Sequence, residues 1–232
     1  MKAENSRDRP FVTVILAMSV DGKIADRSRT AARFGSPEDK AHLERQVAQA
    51  DAVLFGAGTL RAYGTTLRVM QPTLLQQRQQ HHKPLQPVQI VCSRSANLDP
   101  DYPFFRQPVP RWLLTTQAGA RRWQTPGAFE KILIAETAAD EINWKFAFQQ
   151  LLAFGLSQVA VLGGGELVAS LLAEDLIDEF WLTLCPVILG GRSAPTLVEG
   201  SGFLETVAPR LKLLEAESKG EEVFLHYRVS RQ

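Results

Sequence analysis

The sequence predicts an α/β protein with a mixed, mostly parallel central sheet, helices on both faces and an antiparallel C-terminal part. Three observations predict it. Short apolar, β-branched runs at residues 11–18, 51–55, 88–92, 111–115, 131–135 and 159–162 alternate with polar turns or helical spacing, as strands do in a sheet covered by crossover helices. From residue 179 onward the runs 179–188, 211–217 and 223–229 follow one another with no helix between them, as antiparallel strands do. Third, the run Val159-Ala-Val-Leu-Gly-Gly-Gly-Glu-Leu-Val168 carries an apolar strand straight into three glycines and an amphipathic helix.

Each element has its own signal. Residues 11–18 read as a buried strand and 19–35 as a polar loop containing Asp21-Gly22. Ser36-Pro37-Glu38-Asp39 starts a helix to about residue 50, with a capping serine, proline in the first turn and two acids at the positive end. Strand 51–55 runs into Gly56-Ala-Gly-Thr59, which opens a short helix. Residues 64–87 are rich in glutamine with weak periodicity, which predicts a long exposed loop with one helical turn around 72–79. Strand 88–92 closes on Ser93-Arg94-Ser95. Residues 139–154 have helical spacing and stop at Gly155. A helix from Glu166 ends near Glu174, and a long strand containing Pro186 covers 179–188. With no repeat or interdomain linker, residues 1–232 read as a single domain whose residues 1–9 are a flexible terminus.

Bulk properties narrow the function. At 232 residues the chain can bury a full core. Hydrophobic residues make up 45% and charged residues 22%, as in soluble globular proteins. A net charge of +1 gives no electrostatic footprint for nucleic acid or an anionic membrane. No window reaches transmembrane length and no signal-peptide centre is visible, so the expected location is cytoplasmic. Cys92 and Cys185 lie in apolar runs and read as buried free thiols. His81-His82 has no partners at ligand spacing, so no metal is expected.

The chemistry is expected beyond the carboxyl ends of the parallel strands. Three glycines remove every Cβ from a turn, let a ligand approach the main chain and make positive φ inexpensive. The helix behind them offers free N–H groups and a positive dipole end, a combination suited to phosphate. Gly56-Ala-Gly-Thr59 is a second such corner, and Ser93 with Arg94 offers hydroxyl and guanidinium to a monophosphate such as the 2′-phosphate of NADP. Together the three corners suit the two phosphate regions of NADPH. A Gly-x-Gly-x-x-Gly fingerprint would need glycine where Arg61 stands, so a different dinucleotide fold is implied.

The residues resemble the reductase domain of riboflavin biosynthesis, which occurs alone or as the C-terminal half of bifunctional deaminase–reductases. The resemblance is carried by Ser19-Val-Asp-Gly-Lys-Ile-Ala25, Gly35-Ser-Pro-Glu-Asp-Lys40, Ala50-Asp-Ala-Val-Leu-Phe-Gly-Ala-Gly-Thr-Leu-Arg-Ala62, Leu162-Gly-Gly-Gly-Glu166 and the segment 176–191, in that order, over about residues 10–229. It implies a dihydrofolate-reductase-like fold, NADPH as cofactor, a homodimer, and reduction of the ribosyl group of 5-amino-6-(5-phosphoribosylamino)uracil. By the same resemblance Gly56, Gly58 and Thr59 meet cofactor phosphate, Ser93 and Arg94 the adenosine 2′-phosphate, and Gly163, Gly164, Gly165 and Glu166 the pyrophosphate. Asp21 and Lys23 border nicotinamide and substrate as catalytic candidates, with Asp21 orienting Lys23, and Ser36, Lys40 and Arg61 fall on the substrate side.

Three positions depart from the family pattern. Lys40 stands where arginine is usual, Tyr63-Gly64 where two acids often follow the Gly-Ala-Gly-Thr turn, and Leu162 where glutamate often precedes the glycines. All three lie toward the substrate or nicotinamide end. Two alternatives therefore stay open: a reductase of the same fold acting on another small molecule such as a pterin, and a nucleotide-binding module without catalysis.

Overall fold

A computed structural model of the chain describes residues 8–123 and 127–231. Among the described residues nine strands join one sheet in the order β5-β4-β3-β2-β6-β1-β7-β9-β8. The strands β1 (Phe11–Ser19), β2 (Ala52–Gly56), β3 (Val88–Cys92), β4 (Arg111–Thr115), β5 (Lys131–Ile134), β6 (Gln158–Val161) and β7 (Glu179–Cys185) are parallel. The last two, β8 (Arg210–Lys219) and β9 (Glu222–Ser230), run antiparallel, β9 against β7 and β8 against β9.

The alternation within each central strand explains why the sheet is covered on both faces. Val12, Val14, Ala52, Leu54, Ile90, Val159 and Val161 are buried in one cluster with Phe148 and Leu151 of α5 (Trp144–Ala153) and Val168 and Leu171 of α6 (Gly165–Ala173). The intervening Ile15, Val53, Phe55, Val91 and Ala160 are buried in a second cluster with Val47 of α1 (Pro37–Gln49), Leu60 of α2 (Ala57–Tyr63) and Leu74 of α3 (Pro72–Gln80). A strand apolar at every position is the mark of a sheet buried on both sides.

Several expectations are corrected. The stretch 64–87 is not a loop with one turn, because α3 occupies nine of its residues. Its glutamine-rich sequence hides the anchors. Arg78 is buried and donates to the carbonyls of Ala48 and Ala50 at 2.9 and 2.7 Å, closing the C-terminus of α1. Glu44 of α1 accepts from the amides of Met70 and Gln71, where α3 begins. Helix α5 starts at Trp144, not at 139, because Asn143 caps it by accepting from the Phe146 amide. Strand β7 ends at Cys185, since Pro186 has no N–H to offer the ladder. A short 3-10 turn (Pro103–Arg106) and helix α4 (Gln117–Ala120) were not foreseen. Of the expected flexible terminus, residues 1–7 lie outside the described residues, whereas Arg9 is tied to both carboxylate oxygens of Asp178 at 2.8 and 3.1 Å. Both cysteines are free and buried. No helix among the described residues is long and apolar enough to cross a membrane, and no cluster among them could hold a metal ion.

Candidate functional site

The sheet order sets β3, β2, β6 and β1 side by side and parallel, so their carboxyl ends form a row. At about 4.8 Å per strand the row spans roughly 14 Å. Each end leads into a turn that sequence reasoning singled out: Ser93 and Arg94 after β3, Gly56 at the end of β2, Gly163 to Glu166 after β6, and the loop beginning at Ser19 after β1. A cavity of about 690 Å³ runs along this row and is lined from all four ends.

Its floor is glycine. The Gly56 amide donates to the Gly163 carbonyl at 2.9 Å, which locks two of the turns together. Only Gly163 of the triple glycine has positive φ, at +98°, and a Cβ there would lie 3.1 Å from Leu16 Cδ2. The Gly163–Gly164 peptide is cis. Gly164 is extended and caps α6. A Cβ on Gly165 would come within 2.3 Å of the Thr196 carbonyl and 2.8 Å of Glu199 Cγ, so that glycine admits the segment 196–199 against α6. At Gly58 nothing lies within 4 Å of where a Cβ would point. The Thr59 Oγ1 stands 3.9 Å from the Cβ position of Gly164.

The lining carries three cations, Arg29, Arg61 and Arg94, and three carboxylates, Glu141, Glu166 and Glu199. Arg94 pairs with Glu141, both about 60% exposed. Arg29 pairs with Glu199 at 3.4 Å. Arg61 has no ion-pair partner among the described residues. Cys92 also faces the cavity, but burial pushes its thiol up to about 12, so it is a small apolar wall rather than a nucleophile. Tyr63 donates from its hydroxyl to the Ala32 carbonyl at 3.1 Å and joins α2 to the loop after β1. Burial raises its phenol pKa.

The structure brings Gly56, Gly58, Thr59, Arg61, Ser93, Arg94, Gly163, Gly164, Gly165 and Glu166 into this cavity. It does not bring in Asp21, Lys23, Ser36 or Lys40. Asp21 accepts from Ser19 Oγ at 2.7 Å and from the Leu189 and Gly190 amides at 3.1 and 2.7 Å. The Ser19 hydroxyl and those amides hold its carboxyl down to about 2. Its geometry staples the first turn to the chain after β7, and it does not orient Lys23, whose Nζ donates to the Ala194 carbonyl at 3.2 Å. Ser36 caps α1 through the Asp39 amide and is held by Glu222 at 2.6 Å, leaving its hydroxyl occupied. Lys40 is exposed on α1, where its charge acts on Glu44 four residues on.

Sequence reasoning missed Arg29, Thr30, Glu141, Ser170 and Glu199. The spacing Asp26-x-Ser28-x-Thr30 could have flagged the first two. The Asp26 carboxylate accepts from the Ser28 amide at 2.9 Å and from Thr30 Oγ1 at 2.9 Å, a local turn that such side chains build. Nothing in the local sequence marks Glu141 or Glu199.

A profile of the RibD C-terminal domain matches residues 10–225. The chain is 30% identical over 215 residues to the 2,5-diamino-6-ribosylamino-4(3H)-pyrimidinone 5′-phosphate reductase of Archaeoglobus fulgidus, covering 91% of this chain and 95% of that one. Among solved structures it superposes on a pyrimidine reductase-like protein from Corynebacterium diphtheriae with a TM-score of 0.79 at 24% identity, covering 96% and 93% of the two chains. It superposes on Enterococcus faecalis dihydrofolate reductase, solved with NADP(H), with a TM-score of 0.50 at 12% identity over 95% and 97%. These two likenesses establish a dihydrofolate-reductase-like fold.

Proposed function

We propose that this chain, which belongs to the RibD C-terminal domain family, is an NADPH-dependent reductase of a phosphoribosylaminopyrimidine in riboflavin biosynthesis. One observation carries the reading: Ser93, Thr59 and Gly164, from the segments that follow three different strands, line one cavity.

The residues present fit a phosphorylated dinucleotide. The Gly58 Cβ direction is open, and α6 presents its first-turn amides beside the glycines without a side-chain cap, so backbone donors can meet pyrophosphate. Arg94 at the β3 end suits the 2′-phosphate, and its carboxylate partner is exposed and easily exchanged. With these assignments the adenosine end would lie toward β3 and the nicotinamide toward β1. Leu16, Ile24, Ala25 and Leu162 give that far end an apolar wall, which excludes water from the reacting carbon. NADPH would supply hydride to the sugar C1′ of the substrate. Arg61 supplies a cation free to meet the substrate phosphate.

The Archaeoglobus relative is named for the 2,5-diamino pyrimidinone, whereas the sequence suggested the deaminated uracil. Both carry the phosphoribosylamino group that is reduced, and the proposal rests on that shared group. The substrate is therefore a phosphorylated small molecule rather than a nucleic acid. The homodimer expected from the family is proposed through the sheet end at β8, where Leu211 and Leu213 are exposed near Leu204 and Val207 in sequence. The proposed location is cytoplasmic. The test is calorimetric titration with NADPH followed by turnover with both pyrimidines. One-to-one binding and oxidation with either supports the reading. Binding of neither cofactor nor pyrimidine refutes it.

A further inference from the structure

We propose that Arg29 is a second phosphate-binding residue of the cleft, one that takes the dinucleotide's pyrophosphate, with Glu199 as its counterion until the ligand arrives. The inference rests on the dinucleotide reading above and adds a residue to it from outside the glycine turns.

Arg29 sits at the tip of the loop after β1. Its φ is +56°, a conformation that L-residues seldom adopt. The loop holds it there: the Arg29 amide donates to the Asp26 carbonyl at 3.0 Å, and the Asp26 carboxylate accepts from Ser28 on one side and Thr30 on the other. Those two partners also hold the Asp26 carboxyl below its usual range, so the clasp persists at neutral pH. The guanidinium is mostly exposed and lies 3.4 Å from Glu199 Oε1.

Glu199 locates the guanidinium. Its amide donates to the Gly165 carbonyl at 3.2 Å, and its Cγ lies 2.8 Å from where a Gly165 Cβ would stand. Arg29 therefore reaches from the β1 loop toward the first turn of α6 and the triple glycine, and all of these residues line the same cavity. A single-contact ion pair at 3.4 Å whose guanidinium is mostly exposed holds the arginine only weakly. A pyrophosphate offers the guanidinium more negative charge and parallel acceptors, so phosphate displaces the carboxylate. Arg29 would then add a side-chain cation to the backbone amides of the glycine turn. Arg61, unpaired in the same cavity, is left for the substrate.

The test is calorimetric titration of wild type, Arg29→Ala and Glu199→Gln with NADP⁺, adenosine 2′-monophosphate and ribose 5-phosphate. Arg29→Ala should weaken NADP⁺ about tenfold, the scale of one lost charge-assisted hydrogen bond, and leave adenosine 2′-monophosphate unchanged. Glu199→Gln should tighten NADP⁺, because the guanidinium no longer has a competing carboxylate. Equal NADP⁺ affinity in Arg29→Ala and wild type overturns the inference while leaving the dinucleotide reading intact. So does a loss confined to ribose 5-phosphate, which would assign Arg29 to the substrate. Failure of the wild type to bind NADP⁺ sinks the dinucleotide reading and this inference with it.

Discussion

Gly58→Ala should make the protein more stable and the site worse. Gly58 is the second residue of α2, and no atom lies within 4 Å of a Cβ built there. The methyl enters without a clash. Replacing glycine by alanine inside a helix gains about 0.5–1 kcal/mol. For a chain of this size that is about 1–4 °C in Tm. Gly58 also lines the cavity, at the corner proposed for cofactor phosphate, so NADPH affinity should fall by about tenfold or more, on the order of 1.4 kcal/mol. Gly165→Ala is the contrast. Its Cβ would sit 2.3 Å from the Thr196 carbonyl, the backbone must retreat, and overpacking of this kind costs about 1–3 kcal/mol. Thermal melts and calorimetry on the two variants separate the effects. If Gly58→Ala binds NADPH as tightly as wild type, phosphate does not approach α2 and the assignment of that corner is wrong.

Three further outcomes follow from the geometry. Arg94→Ala should weaken NADPH by about 10–100-fold, the scale of charge-assisted hydrogen bonds to a phosphate, and leave NADH almost unchanged; equal losses would remove Arg94 from the 2′-phosphate. His42 is buried, stacked edge-on against Trp181 at 4.7 Å and beside Phe224 and His226. Burial, then the charges of Arg45 and Lys219, lowers its pKa from 6.5 to about 4. The folded state therefore resists protonation that the unfolded chain accepts. Its contribution is complete above pH 6.5 and falls away toward pH 4, by about 2–3 kcal/mol at pH 4.5. Denaturant melts of His42→Leu should lose that much less than wild type between pH 7 and 4.5, and identical acid limbs would refute the assignment. Burial raises both thiols to about 12, so native protein should not react with a thiol reagent at neutral pH while denatured protein exposes two groups; rapid native labelling would contradict the burial.

The sheet was legible because its strands are apolar at consecutive positions, and the glycine corners were legible because only a few residue types suit them. What escaped the sequence was decided by distant partners. Helix α3 is secured by Glu44 and Arg78, from one helix to another, and glutamine-rich composition says nothing of that. Asp21 looked catalytic beside Lys23, yet its carboxylate is committed to amides 168 and 169 residues away. Ser36 suits a cap and a substrate contact equally by sequence, and its hydrogen bonds go to the Asp39 amide and Glu222. Glu141 and Glu199 enter the cleft by tertiary contact with Arg94 and Arg29, so their place depends on a fold that brings residues 47 and 170 apart together.

The most direct test of the account is a spectrophotometric assay of NADPH oxidation by the purified chain with 2,5-diamino-6-ribosylamino-4(3H)-pyrimidinone 5′-phosphate and its deaminated counterpart. The account predicts that one of them drives oxidation of one NADPH per ribityl product formed. Tight NADPH binding with no oxidation in the presence of either compound would contradict it.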